Sequence, residues 1–244
     1  MSGRGAVAGE SGSLALHSSL AGEIDHIENV KRVVARMKAI VYRRYGGPEV
    51  LGLDEVPKPV SSPSEVLVRV KAAGVNPADW QIRSGKRTSL PEPFTMIPGL
   101  DLSGVVEEPG QSGLEPGIRV FGMAPLRLES ANAGSYAEFV SVPAEQIVPM
   151  SETMSFEDAA ALPVAVLTVW NSLFEQAELS PGQSVLVHAA AGGVGHIAVQ
   201  IAKSAGAYVY GTASSKNLSF FTGHWGRQTH RLLHGAIRRC GQRC

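Results

Sequence analysis

The feature that most constrains this fold is a run of small residues between an apolar strand and a helix. Residues 184–189 form an apolar run of strand length, and residues 194–205 follow with a helical pattern. Glycines 192, 193 and 195 occupy the turn between them, and a second strand-like run covers residues 207–211. The order of strand, glycine-rich turn, helix and strand predicts a βαβ crossover in a parallel sheet.

The glycine-rich turn favours a nucleotide-binding role. A pyrophosphate must approach the backbone closely at a helix N-terminus, where free N–H groups and the helix dipole stabilise negative charge. We therefore predict a cofactor site formed by the residues of this turn: Ala191, Gly192, Gly193, Val194 and Gly195. The alternative is a tight turn that serves packing alone.

The segment after the second strand indicates which nucleotide is preferred. NAD sites usually carry an acid there for the ribose 2′-hydroxyl, whereas residues 211–217 contain none. Ser214 and Lys216 suit a 2′-phosphate, and we include Thr212 in the same site. The sequence therefore favours NADPH over NADH. The alternative is a solvated loop whose lysine has no partner.

The preceding sequence has a different character. Residues 38–149 form short strand-like runs separated by turns rich in glycine and proline, and residues 64–71 alternate in the manner of a half-buried strand. This pattern predicts an all-β unit with a partly closed barrel. Residues 155–178 are helix-like, and Pro163 is expected to divide them into two helices.

Four separated motifs carry a family resemblance. Residues 188–196 read HAAAGGVGH, residues 73–79 read AGVNPAD, and residues 97–104 read IPGLDLSG. Together with the opening Met-Lys-Ala-Ile at residues 37–40, they resemble the zinc-free quinone oxidoreductase branch of the medium-chain dehydrogenases/reductases. The resemblance covers residues 37 to about 218.

The resemblance implies an α/β plus β fold, in which a GroES-like, partly closed β-barrel domain precedes an incomplete Rossmann domain. We expect the GroES-like catalytic domain over residues 37–150 and the partial NADP-binding domain over residues 151–217. An N-terminal extension, residues 1–36, and an atypical basic tail, residues 218–244, flank them.

The resemblance also implies the chemistry, which is transfer of a hydride from NADPH to a quinone or an α,β-unsaturated carbonyl. Zinc-dependent relatives carry a ligand cysteine near Asn76 and a His-Glu pair near residues 100–101. This chain has no cysteine before Cys240, so we expect no metal. Asn76 and Asp79 are the catalytic-site candidates, and Thr168 matches a position that lines the nicotinamide pocket.

Each of these candidates also has a local alternative. Asn-Pro and Asp suit turns and helix caps, and a helical threonine can bond back to its own backbone. His188 and His196 flank the phosphate turn, where we expect structural roles.

The two ends of the chain differ from its body. Residues 1–36 are rich in Gly, Ser and Ala; their first half is expected to be disordered, and Met37 is an alternative start. Residues 218–244 hold five arginines, three histidines, both cysteines and none of the 22 acids, which suggests a frameshift and C-terminal truncation. Alternatives are a basic helix for nucleic acid or membrane, and metal binding by Cys240 and Cys244.

These observations leave three functions open. The first is a zinc-free oxidoreductase acting on a small quinone or enone, with neither nucleic acid nor membrane as a partner. The second is a non-catalytic fragment of such an enzyme, and the third is an enoyl-thioester reductase. No stretch approaches the roughly 20 apolar residues of a membrane span, and no secretory signal is evident, so we expect a cytoplasmic protein. Related enzymes are often homodimers.

Overall fold

The computed structural model describes residues 35–87, 94–125 and 133–217. The predictions for residues 1–34 and for the basic tail lie outside them. Nine strands are described: β1 (Arg36–Val41), β2 (Gly52–Pro57), β3 (Glu65–Ala73), β4 (Asp101–Glu108), β5 (Arg119–Met123), β6 (Phe139–Pro143), β7 (Ile147–Pro149), β8 (Ser184–Val187) and β9 (Tyr208–Gly211). The α-helices are α1 (Pro77–Arg83), α2 (Phe156–Ala160), α3 (Pro163–Trp170) and α4 (Gly193–Ser204).

The first seven strands build the predicted β unit, but α1 lies between β3 and β4, so the prediction that the unit is all-β was wrong. Five of them form an antiparallel sheet in the order β6-β3-β4-β5-β7, and β1 and β2 form a separate hairpin. Strand β1 attaches to the segment before β6, where the Ile40 N–H donates to the Tyr136 carbonyl at 2.8 Å. Among the described strands β6 does not pair with β7, so the sheet remains open and no closed barrel forms.

Strand β3 differs from the half-buried strand that its alternating sequence predicted. Val66, Leu67 and Val68 are all fully buried, and Glu65 is buried as well. Strand β3 is paired with β6 along one edge and with β4 along the other, and α2 packs against it, so that both faces of its first half are covered. Only the second half of the strand is partly exposed.

The nucleotide-binding unit contains the predicted parallel pair. Strands β8 and β9 run parallel, with Ser184 opposite Tyr208 and Val187 opposite Gly211, and α4 connects them. Pro163 begins α3, which confirms the predicted break in the helical region. Buried side chains of α3, β8, α4 and β9, with Leu173 after α3 and Ala190 in the glycine-rich turn, form one apolar core: Ala165, Val169, Leu173, Val187, Ala190, Ile197, Ala198, Val199, Ala202 and Val209.

A second apolar core lies within the five-stranded sheet, and the segment leading into α2 joins the two units. The Ser103 hydroxyl on β4 donates to the Phe156 carbonyl at 2.6 Å, and the Arg119 guanidinium on β5 donates to the Glu152 carbonyl at 2.8 Å. These side-chain bonds fix where α2 and then α3 begin relative to the sheet. In the described part of the chain, every helix is too short or too polar to cross a bilayer.

Candidate functional site

The glycine-rich turn ends in the first turn of α4. The Gly192 N–H donates to the Ala189 carbonyl at 2.8 Å, and the first bond into the helix is donated by His196 to the Gly192 carbonyl at 3.0 Å. The N–H groups of Gly193, Val194 and Gly195 come before that bond and have no acceptor among the described residues. Three donors at the positive end of the helix dipole therefore remain available to an anion.

Two glycines of this turn are required for different reasons. A Cβ on Gly195 would lie 2.3 Å from the Ala189 carbonyl oxygen, so only glycine lets α4 pack this closely against the turn. A Cβ on Gly193 would meet no atom within 4 Å, so the space above that residue is open. The turn thus has one glycine that serves packing and one that leaves its outer surface bare. Val194 and Ala191 lie beside that surface and are exposed and half-buried, respectively.

Thr212, which follows β9, holds the turn in place. Its hydroxyl oxygen accepts the Ala189 N–H at 3.0 Å and lies 3.3 Å from Nδ1 of His188, while its carbonyl accepts the Ala190 N–H at 2.8 Å. These bonds support the left-handed conformation of Ala189, whose φ is +51°. Thr212 thus has a structural task beside its predicted role in cofactor binding.

The two histidines near the turn make local contacts. His196 Nδ1 lies 2.9 Å from the Gly192 carbonyl, and His188 approaches the Thr212 hydroxyl. Both contacts agree with the structural roles expected for these side chains.

Ser214 and Lys216 lie beyond the carboxyl end of β9, at the same sheet edge as the glycine-rich turn after β8. Both are exposed, and neither side chain has a hydrogen bond or ion pair within the described residues. No acidic side chain follows β9 before the end of the described chain. This edge, outside the carboxyl ends of parallel strands, is where nucleotides bind in open α/β sheets.

A second cluster of predicted site residues lies in the β-sheet unit, at the start of α1. Asn76 is the N-cap of this helix and Pro77 its first residue. Asp79 Oδ2 accepts the Asn76 N–H at 2.6 Å and the Tyr136 hydroxyl at 3.1 Å. The capping alternative for these two residues is therefore realised, and the Asn76 side chain also makes a contact outside the helix.

That contact is with Asp101, a residue that the sequence reasoning did not include in the site. Asn76 Nδ2 donates to Asp101 Oδ2 at 2.9 Å, and the Val164 N–H of α3 donates to Asp101 Oδ1 at 2.9 Å. The Asp101 residue is only 2% exposed. One signal could have identified it, namely an acid directly after the apolar run of residues 96–100.

Burial dominates the electrostatics of this cluster. It raises the pKa of Asp79 and the pKa of Asp101 above their ordinary 3.8, although hydrogen bonds to each carboxylate act in the opposite direction. Burial, followed by the negative charge of Asp79, also raises the pKa of the Tyr136 hydroxyl. The Tyr136 hydroxyl therefore stays protonated at neutral pH and donates a hydrogen bond to Asp79.

Thr168 is exposed on α3, one turn after Val164. Its hydroxyl donates to the Val164 carbonyl at 2.6 Å, which is the local alternative considered from the sequence. The hydroxyl proton is thereby used, so the Thr168 oxygen can only accept a further hydrogen bond. Val164 connects this residue to Asp101, since its N–H contacts the carboxylate and its carbonyl contacts Thr168.

Two cavities border these elements. A small one, about 30 Å³, adjoins Asp79, Tyr42 and Pro98. A larger one, about 720 Å³, lies between β5, β7 and α3 and is lined mainly by apolar groups such as Phe121 and Leu167. Within the described residues, no group of three or more His, Cys, Asp or Glu side chains could hold a metal ion.

The comparisons with known proteins agree with this architecture. Residues 62–152 match the alcohol dehydrogenase GroES-like domain. A quinone oxidoreductase from Mus musculus is 42% identical over 184 residues, which is 74% of this chain and 53% of that protein. The chain thus spans about half the length of the curated relatives it matches.

Solved structures give the same result. The quinone oxidoreductase from Coxiella burnetii has a TM-score of 0.69 at 36% identity, over 81% of this chain and 62% of that one. The Escherichia coli quinone oxidoreductase complexed with NADPH has a TM-score of 0.67 at 31% identity, over 79% of this chain and 57% of that one.

A GroES-like antiparallel sheet followed by a dinucleotide-binding βαβ unit defines the medium-chain dehydrogenase/reductase class. Within that class, this chain belongs to the quinone oxidoreductase family. The predicted fold class and family are thereby confirmed.

Proposed function

We propose that this protein is an NADPH-dependent oxidoreductase that reduces a quinone or an α,β-unsaturated carbonyl without zinc. The observation that carries the proposal is the first turn of α4, where three N–H groups lack an acceptor among the described residues and the space over Gly193 is open. The E. coli relative, solved with NADPH, supports the same cofactor.

The residues present fit such a cofactor at both of its ends. The N–H groups of residues 193–195 would bind the pyrophosphate, and the unpaired side chains of Ser214 and Lys216 would bind the 2′-phosphate. Asn76 and Thr168 would bind the nicotinamide end. When bound, NADPH supplies the hydride.

The chain's own residues then have defined tasks. Asn76 uses one side-chain N–H for Asp101, so its second N–H can stabilise negative charge that develops on a substrate oxygen. Thr168 can accept a hydrogen bond from an amide group of the cofactor, because its own proton is used by Val164. Asp79 and Tyr136 hold the loop that carries Asn76.

We propose the substrate only by its chemical class, and we also propose that the protein forms a homodimer. Because the chain spans about half the length of its curated relatives, the rival proposal is a member of the family that binds nucleotide without turnover. Reduction of an enoyl thioester is the third possibility.

The first experiment is a titration of the purified chain with NADPH and, in parallel, with NADH, followed by tryptophan fluorescence. Lys216→Glu should weaken NADPH binding by about 10- to 100-fold, since a charge-assisted hydrogen bond contributes about 1.5–3 kcal/mol. Lys71→Glu is the matched control, an exposed lysine on β3. Equal affinity of the parent for both nucleotides, or equal effects of the two variants, would contradict the 2′-phosphate assignment.

Turnover separates the remaining possibilities. Steady oxidation of NADPH in the presence of a quinone or an enone supports the proposed reaction, and faster oxidation with an enoyl thioester favours the third function. Tight NADPH binding with none of these acceptors reduced supports the non-catalytic rival.

A further inference from the structure

Asp101 is a buried acid at the junction of the two apolar cores. It begins β4 of the five-stranded sheet, and its carboxylate contacts α3, whose buried residues belong to the nucleotide-binding core. Its backbone is fixed as well, because the Asp101 carbonyl accepts the Gly74 N–H at 3.1 Å. Gly74 precedes Asn76 by two residues, so Asp101 holds the Asn76 loop by its backbone and by its side chain.

The carboxylate determines which way the Asn76 amide faces. A carboxylate only accepts hydrogen bonds, so the amide must direct its NH₂ group to Asp101 Oδ2. The amide oxygen then faces the backbone N–H of Asp79 in the capping box of α1, and the second N–H is left for another group. Without this neighbour, only the capping contact would oppose a half-turn of the amide that exchanges its donor and acceptor positions.

The second carboxylate oxygen connects this orientation to α3. Asp101 Oδ1 accepts the Val164 N–H, and the Val164 carbonyl accepts the Thr168 hydroxyl. Asn76, Asp101, Val164 and Thr168 thus form one continuous series of hydrogen bonds. It joins the two residues assigned to the nicotinamide end of the cofactor, although they are far apart in the sequence.

Burying the Asp101 carboxylate between two elements is energetically unfavourable. It takes part in none of the ion pairs of the described chain, and the nearby Asp79 has the same charge. A buried charge without a cation costs more free energy than an apolar contact of the same size. The carboxylate can accept a hydrogen bond from each of two donors at once. An asparagine at this position has only one acceptor oxygen, and its NH₂ group would face the other donor.

We propose that Asp101 is a positioning residue for the cofactor: it fixes the orientation of the Asn76 amide and its distance from Thr168 on α3. The inference rests on the proposed function, since it assigns the oriented amide to the nicotinamide end of NADPH. Asp101 itself need not touch the cofactor.

The test compares Asp101→Asn with a matched control, Ser103→Ala. Ser103 lies two residues along β4, is fully buried, and also bonds to the segment that joins the cores, but it does not contact Asn76. We expect Asp101→Asn to weaken NADPH binding by about tenfold and Ser103→Ala to change it by less than about twofold, with both variants less stable to heat. Added to Asn76→Ala, Asp101→Asn should have no further effect on binding.

Nuclear magnetic resonance of the Asn76 side-chain NH₂ group supplies a measurement that does not need the cofactor. Its two proton signals should move in Asp101→Asn and stay in place in Ser103→Ala. In the parent chain, the proton bonded to Asp101 should exchange with solvent more slowly than its partner. The exchange rates of the two protons are measured in the parent chain, so this test remains possible if Asp101→Asn does not fold. Equal exchange of the two protons overturns the proposal.

The outcomes separate the two levels of inference. If the parent binds NADPH and Asp101→Asn binds it equally well, the proposal for Asp101 is wrong and the residue serves stability alone. If the parent does not bind NADPH, the proposed function fails, and the signals of the Asn76 amide decide whether Asp101 orients it.

Discussion

The two glycines at the start of α4 should respond in opposite ways to the same substitution. In Gly195→Ala, the new methyl group would lie 2.3 Å from the Ala189 oxygen and 2.8 Å from Ala190 Cα, so the helix must move away from the turn. Such overpacking costs about 1–3 kcal/mol, which outweighs the gain of up to about 1 kcal/mol in helix propensity. In Gly193→Ala the methyl group meets no atom, and only the gain in propensity remains.

Thermal unfolding and NADPH titration of both variants test this difference. Gly195→Ala should lower the Tm by about 2–8 °C, and Gly193→Ala should keep or slightly raise it. Gly193→Ala should nevertheless weaken NADPH binding by about tenfold or more, because its methyl group occupies the space assigned to the pyrophosphate. Equal loss of stability in the two variants would refute the packing argument, and unchanged NADPH affinity of Gly193→Ala would refute the assignment of the turn.

Three further predictions concern single side chains. Burial raises the pKa of Asp79 above 3.8, so the Asp79 carboxyl group loses its proton at a higher pH in the folded chain than in the unfolded chain. The free energy of unfolding should therefore fall as pH rises from 3.8 through the raised pKa. Urea unfolding over a pH series should show a shallower fall in Asp79→Asn, and an identical pH dependence would contradict the assignment. Glu178 has a φ of +48°, so Glu178→Gly should stabilise the chain by up to about 1 kcal/mol in the same assay, and destabilisation would argue against the strain. Thr168→Val should weaken NADPH binding by about tenfold with little change in Tm. Unchanged binding would mean that the hydroxyl serves only its hydrogen bond to Val164 and does not bind the cofactor.

The elements that local patterns define could be predicted from the sequence. The apolar strand, the glycine-rich turn and the following helix were located to within one or two residues, and Pro163 divided the helical region as expected. These features depend on backbone requirements that a few neighbouring residues satisfy, such as the absence of a Cβ at Gly195. A sequence pattern records such requirements directly.

Features that depend on distant contacts were missed. The alternation in β3 predicted one exposed face, but packing by distant parts of the chain, α2 among them, buries both faces of its first half. Asp101 was passed over because its partners come from two other segments of the chain, one at Asn76 and one at Val164. No periodicity relates these three positions.

The two ends of the candidate cofactor site are therefore built on different principles. The phosphate end consists of consecutive backbone groups of one βαβ unit, so its donors depend on local folding of the turn and on the bonds that Thr212 makes to it. The proposed nicotinamide end requires Asn76 and Thr168 to be held together across two apolar cores, and the Asp101 carboxylate contacts both Asn76 and the first turn of α3. A cofactor can be bound by the first arrangement alone, but directing a hydride requires the second. Turnover should therefore fall by a larger factor than NADPH binding when the contact between the cores is weakened.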